Sequence, residues 1–233
     1  MSADIAAERR TAAPKRAARP RSVKALKAHA VVISQRLAVE YPDALCELDH
    51  SSAFELLAAT ILSAQCTDAR VNLVTPVLFA RYRRPIDLAS ADLGELEEII
   101  RPTGFFHNKA KSLVGMATAV VDRFGGEVPG PMEDLITIPG VGRKTANVVR
   151  SVALGLPGLA VDTHVLRLSQ RLALTSETDP VKVETALNAL VEPSLRGEFS
   201  LRLILHGRRV CAARKPRCGE CTLADICPRA GIV

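Results

Sequence analysis

Lys144 and Asp162 are the residue types in this chain that could form and support a covalent intermediate. Both lie in or at the edge of one stretch, LITIPGVGRKTANVVRSVALGLPGLAVDTH, from Leu135 to His164. Lys144 follows Pro139-Gly140-Val141-Gly142 and sits beside Arg143, where an apolar segment of helical spacing begins (Ala146, Val148, Val149, Val152, Ala153). A helix N-terminus and a neighbouring cation both disfavour an ammonium, and a lysine so placed is a candidate amine nucleophile. Asp162 comes eighteen residues later, between the apolar pair Ala160-Val161 and a second amphipathic run. Taken singly, Lys144 reads most simply as a solvated helix residue and Asp162 as an N-cap. Together, behind a glycine turn whose following amides form an anion site, they have the makings of an amine and a carboxylate beside a bound phosphate.

The glycines exclude two other phosphate motifs. A dinucleotide fingerprint needs a third glycine at position 145, which is Thr145, and a P-loop needs four residues between its glycines, not one. Both also need a preceding strand, whereas Met132 to Thr137 reads as a helical turn. The stretch therefore reads as two helices joined by Gly-x-Gly, a helix-hairpin-helix over about residues 135–154, with Gly140 and Gly142 free to take positive φ or to approach a partner closely.

A second constellation lies near the C-terminus. Cys211, Cys218, Cys221 and Cys227 follow C-x6-C-x2-C-x5-C and hold four of the six cysteines. The first 30 residues lack an apolar secretory region, so reduced thiols and metal ligation are expected to outrank disulfides. Four thiolates suit zinc or an iron–sulfur cluster equally by softness, although zinc sites usually pair two C-x2-C knuckles and this chain has one. Cys46 and Cys66 read as buried thiols. The first loop between the ligand cysteines carries Arg214, Lys215 and Arg217, a basic patch suited to phosphate.

The hairpin sequence with VDTHV, together with the cysteine spacing, is similar to the endonuclease III family of bifunctional DNA glycosylases, over nearly everything from Val31 to Pro228. The resemblance implies a base-excision-repair glycosylase that removes oxidised or ring-saturated pyrimidines and cuts the strand by β-elimination through a lysine Schiff base. It implies Lys144 and Asp162 as catalytic residues, and a [4Fe-4S] cluster held by Cys211, Cys218, Cys221 and Cys227. It places Gln65 in the space left by a flipped nucleotide and Phe105 as an apolar wedge in kinked DNA. Gly140, Gly142, Arg143, Arg214, Lys215 and Arg217 complete the expected DNA contacts. The implied partner is double-stranded DNA with damaged bases or abasic sites, bound by a cytoplasmic, nucleoid-associated monomer. A monofunctional relative, such as the adenine-excising branch, would lack the lysine and add a C-terminal domain. A non-catalytic Fe–S DNA-binding module would have no reason to keep both Lys144 and Asp162.

The elements that must position these residues read as all-α. Helices are expected over 23–41, 52–62, 69–82, 92–100, 108–124, 163–173, 180–191 and 198–209, besides the hairpin. Ser52–Glu55 and Asp92–Glu95 are capping-box patterns, and Asp179-Pro180 opens another helix. The 52–62 helix is apolar nearly all round and should be central. By resemblance the chain divides into a six-helix domain over 46–156, and a domain combining 23–45 with 157–233 that carries the cluster loop. Residues 1–30 hold eight basic and two acidic side chains, the whole formal net charge of +6. Residues 1–22, rich in Ala, Arg and Pro, are expected to be a disordered basic tail that adds phosphate attraction. No run of about 18 apolar residues exists to span a membrane.

Overall fold

The structure is a computed structural model that describes residues 16–229. Among the described residues it contains eleven α-helices, three 3-10 turns and no strand, so the all-α expectation holds. The expected disordered tail lies largely outside the described residues; 16–21 have no regular structure, and Ser22 caps the first helix. The described residues fold into two compact units, one of 43–161 with 192–201, the other of 16–42, 162–191 and 202–229.

The first unit carries α2 (Ala53–Leu62), α3 (Asp68–Arg81), α4 (Pro85–Ala89), α5 (Leu93–Ile100), α6 (Phe106–Phe124), α7 (Met132–Leu135) and α8 (Arg143–Val152). Ser52 Oγ accepts from the amide of Glu55 at 3.2 Å, and the Glu55 carboxylate turns back to the amide and hydroxyl of Ser51 at 2.6 and 2.7 Å. The box thus closes one residue earlier than its usual form. Every residue of α2 from Leu56 to Leu62 is buried, which makes it the central helix expected from its composition. Asp92 caps α5 through the amide of Glu95 at 2.9 Å, but the Glu95 carboxylate does not return the bond. It pairs with Arg81 at 2.7 Å and accepts from the Tyr82 hydroxyl at 3.1 Å. α6 buries Leu113, Met116, Ala117 and Val120 and ends at Gly125 in the left-handed region.

The sequence predicts six helices over 46–156, and the structure has seven. The additional one is α4, a five-residue helix opened by Arg84 and Asp87, whose carboxylate accepts from the Arg84 amide at 3.0 Å. The division between domains also differs from the expected one. Residues 43–45, 157–161 and 192–201 join the α2–α8 unit. The last segment is drawn there by Ser200 Oγ, which donates to the Ala160 carbonyl at 2.6 Å, and by Gly197, packed so closely on Ser151 that a Cβ would lie 2.6 Å from its side chain.

The second unit holds α1 (Val23–Glu40), α9 (Thr163–Arg171), α10 (Pro180–Asn188), the C-terminal part of α11 (Arg196–Arg209) and the cysteine loop. α1 buries Ala30, Ile33 and Leu37, and His29 bonds the Leu172 carbonyl at the end of α9 at 2.8 Å. Asp179 caps α10 through two amides, with Pro180 at the first helical position, as its sequence predicts.

Candidate active site and cluster loop

In the α2–α8 unit the hairpin turn is built by two glycines with different reasons to be there. Gly140 has φ +78°, and a Cβ on it would lie 2.9 Å from Ser112 Cβ, so backbone conformation and packing both demand glycine. Gly142 is the N-cap of α8 in extended conformation, and a Cβ there would meet nothing within 4 Å. α8 buries Ala146, Asn147 and Val149. Its opposite face presents Arg143 and Lys144 to solvent in the first turn. No side chain caps this N-terminus, so its first amides point outward as an anion site. The Lys144 amine has no hydrogen-bond or ion-pair partner among the described residues.

Gln65 and Phe105 both lie in this unit, and both have a left-handed backbone, φ +55° and +51°. Phe105 is 64% exposed in a chain with six phenylalanines and no tryptophan. A bulky side chain at positive φ is a genuine outlier. Only four non-glycine residues among the described ones have positive φ: Gln65, Phe105, Ala173 and Lys215. Ala173 terminates α9, with the Leu174 amide bonding back to the Ser169 carbonyl at 2.8 Å, an ordinary helix ending. The other three are residues singled out from sequence for DNA contact. Phe106, in contrast, stacks on His107 and lies under Arg101.

In the second unit Asp162 is the N-cap of α9. One oxygen, Oδ1, accepts from the amides of His164 and Val165, both at 2.8 Å; the other has no hydrogen-bond partner among the described residues. The capping role and an available carboxylate oxygen therefore coexist in one half-buried side chain.

The four cysteines of the C-terminal loop line one small, mostly apolar cavity, together with Leu168, Leu172 and Val210. Four thiols facing one cavity are a donor set suited to a thiolate-ligated iron–sulfur cluster. Polar groups point at the sulfurs. Arg171 donates to Cys211 Sγ at 3.2 Å and to the carbonyls of Ala212 and Ala213 at 2.7 and 2.9 Å. Arg167 donates to the Cys211 carbonyl at 3.0 Å, and the Leu223 amide to Cys221 Sγ at 3.4 Å. Buried His206 has Nε2 3.3 Å from Cys221 Sγ and Nδ1 3.1 Å from the Tyr41 hydroxyl. Burial pushes the His206 imidazole down to about 4, so the ring is neutral and can accept from Tyr41 while donating to sulfur. Burial, reinforced by the other thiols, pushes the Cys221 thiol up to about 11. Iron bound there would hold it as thiolate. Sequence reasoning missed Arg167, Arg171, His206 and Tyr41; the legible trace was an arginine pair four residues apart on α9, and a histidine five residues before Cys211.

Of the expected basic contacts, Arg214 and Lys215 are exposed, Lys215 with φ +53°. Arg217 is exposed as well but bound within the protein, to Glu220 at 3.0 Å and to the Arg209 carbonyl.

A DNA-repair helix-hairpin-helix protein is the class this fold and these sites define. Residues 58–193 match the family model of the HhH-GPD superfamily base excision DNA repair protein, and residues 211–227, beginning and ending on a cysteine, match the iron-sulfur binding domain of endonuclease III. The chain is similar to the endonuclease III of Synechocystis sp., at 57% identity over 82% of this chain and 87% of that one, and to the endonuclease III of Bacillus subtilis, at 48% over 80% and 86%. A solved structure of a trapped endonuclease III–DNA covalent intermediate, in an estranged-adenine complex, superposes with a TM-score of 0.82 at 43% identity, covering 87% of this chain and 96% of that one. The chain belongs to the endonuclease III family. It is a bifunctional DNA glycosylase and abasic-site lyase of base excision repair, and its cofactor is a [4Fe-4S] cluster. Among the described residues no helix is long and apolar enough to cross a membrane.

Proposed function

We propose that Lys144 is the nucleophile and Asp162 the supporting carboxylate of a glycosylase acting on oxidised or ring-saturated pyrimidines in duplex DNA. The observation that carries this reading is the Lys144 amine, exposed and unpartnered in the first turn of a helix whose N-terminus has no side-chain cap. The target nucleotide must leave the stack before its glycosidic bond is reachable. Gln65 and Phe105 fill the gap, Gly140 and Gly142 with the α8 amides hold a phosphate beside Arg143, and Arg214, Lys215 and Arg217 add attraction along the backbone. The free amine of Lys144 adds to C1′ of the sugar as the base departs, and Asp162, through its unpartnered oxygen, stabilises the cationic sugar and assists deprotonation of the amine. Opening of the C1′–O4′ bond turns the adduct into an imine, which acidifies the C2′ proton; loss of that proton to a base breaks the C3′–O bond and expels the 3′ phosphate.

Cys211, Cys218, Cys221 and Cys227 are the residues that would hold the cluster. The cluster supplies a rigid four-point anchor for the basic loop. In this reading the protein works as a monomer on nucleoid DNA in the cytoplasm. The solved relative trapped as an endonuclease III–DNA covalent intermediate supports the covalent route.

Borohydride reduction on abasic-site DNA tests the nucleophile. Lys144→Gln is expected to lose the trapped complex and strand cleavage while DNA affinity changes less than about threefold, because backbone amides make the phosphate contacts. A trapped complex formed by the Gln variant would overturn the assignment.

A further inference from the structure

Lys109 stands on the first turn of α6, yet it is only 5% exposed. Its amine donates to the Thr103 carbonyl at 2.8 Å and has no other hydrogen-bond or ion-pair partner among the described residues. Thr103 is itself buried, its hydroxyl donating to the Ile100 carbonyl at 2.8 Å. The next two residues, Gly104 and Phe105, both have positive φ, so the bond to Thr103 fixes the last ordinary residue before the strained tip. Phe105 is exposed, and its carbonyl receives the Lys109 amide at 3.2 Å. The amine thus holds the loop from below while its own backbone begins the helix behind it. Burial lowers the Lys109 ammonium from its ordinary value, and the Cys66 thiol acts on it in the opposite sense. Cys66 directly follows Gln65, the other non-glycine residue of this unit with positive φ. The turn carrying Gln65 is closed by the Cys66 amide on the Ser63 carbonyl at 3.1 Å. A buried ammonium with one acceptor is a poor choice for stability alone, since an apolar side chain of similar length would bury as well without the desolvation cost.

We propose that Lys109 is a positioning residue that braces the gap-filling loop of Phe105 in the conformation that enters the DNA stack. The proposal rests on the gap-filling reading of Phe105 and its companion Gln65. Lys109 does not touch the sugar or base in this scheme; it acts through the loop tip. Its loss should therefore matter only when the tip is present.

The test is a double-mutant cycle on single-turnover excision of an oxidised pyrimidine from duplex DNA, using the full chain with its cluster. Lys109→Met is expected to slow excision roughly tenfold or more, in line with the cost of misplacing a contact by about 1 Å. In a Gln65→Ala/Phe105→Ala background the same substitution should cost less than about twofold. Lys109→Gln keeps a donor for the Thr103 carbonyl and should restore most of the rate; it also serves if the Met variant does not fold. Fluorescence of 2-aminopurine placed opposite the lesion reports unstacking directly, and it should fall with Lys109→Met and recover with Gln. An equal loss with and without the two tip residues, or a wild-type rate for Lys109→Met, would overturn the proposal. If the Gln65→Ala/Phe105→Ala pair excises at the wild-type rate, the gap-filling reading itself fails and the proposal falls with it.

Discussion

At the scale of single residues, Asp162 shows how a structural and a chemical role share one side chain. Oδ1 takes two amides of α9, and the second oxygen is left over. Asparagine keeps the first function, because its Oδ1 caps about as well as a carboxylate, and loses the second. Asp162→Asn is expected to change stability by at most a few tenths of a kcal/mol. Single-turnover excision should nevertheless fall by roughly 10²-fold, equivalent to ~2.7 kcal/mol of transition-state stabilisation. Thermal unfolding and excision measured on the same preparation separate the roles, and unchanged excision would leave Asp162 as a cap only. Backbone strain sorts the same way. Left-handed φ at Gln65, Phe105 and Lys215 costs roughly 1–2 kcal/mol each and coincides with residues assigned to DNA, whereas Ala173 has an explanation within its own helix ending.

At the scale of elements, the hairpin turn contains a testable contrast between two glycines two residues apart. Gly140→Ala places a methyl at positive φ and against Ser112, and should destabilise the protein by roughly 1–2 kcal/mol. Gly142→Ala meets open space from an extended backbone and should cost under about 1 kcal/mol. The methyl would instead stand where a phosphate approaches the α8 amides, so DNA affinity should drop severalfold while melting barely moves. Equal effects of the two substitutions on melting would remove the reason for treating Gly142 as a contact residue. Both glycines are legible in the sequence as a pair; which one serves the fold and which the partner depends on where Ser112 stands. Local chemistry is similarly readable at Ser52, Asp92, Asp162 and Asp179, because a cap needs only its own helix. Helix α4 is not, since five residues carry no apolar period and the Arg84–Asp87 pair is an ordinary surface pattern until its geometry is seen. The place of 192–201 is not either, because the Ser200–Ala160 bond joins residues forty positions apart. Buried Lys109 is hidden for the same reason: its acceptor is a backbone carbonyl, which a sequence does not display.

At the scale of the whole molecule, the unit that contains Asp162 is assembled from three separate segments, and the cysteine loop gathers them. Arg36 of α1 donates to the Thr222 carbonyl at 2.9 Å and pairs with both oxygens of Asp225. Arg167 and Arg171 of α9 reach Cys211 and the carbonyls beside it. His206 of α11 meets Cys221. Held by the four cysteines, the cluster would keep these acceptors in place. The other unit has its own core around α2, drawn from residues 48–149, and does not use the loop. Loss of iron should therefore act regionally rather than evenly. Cys221→Ser is expected to abolish the visible absorption of the cluster and its iron content. Hydrogen exchange should then rise by an order of magnitude or more in 23–40, 163–171 and 205–227, while α2 and the buried face of α6 keep their protection. Because α9 begins at Asp162, excision should fall even though Lys144 and its hairpin are intact, and trapping on abasic DNA should weaken with it. An even rise in exchange across both units would mean that the cluster stabilises the chain as one cooperative body. Unchanged exchange in α9 would mean that Arg167 and Arg171 hold the loop without it.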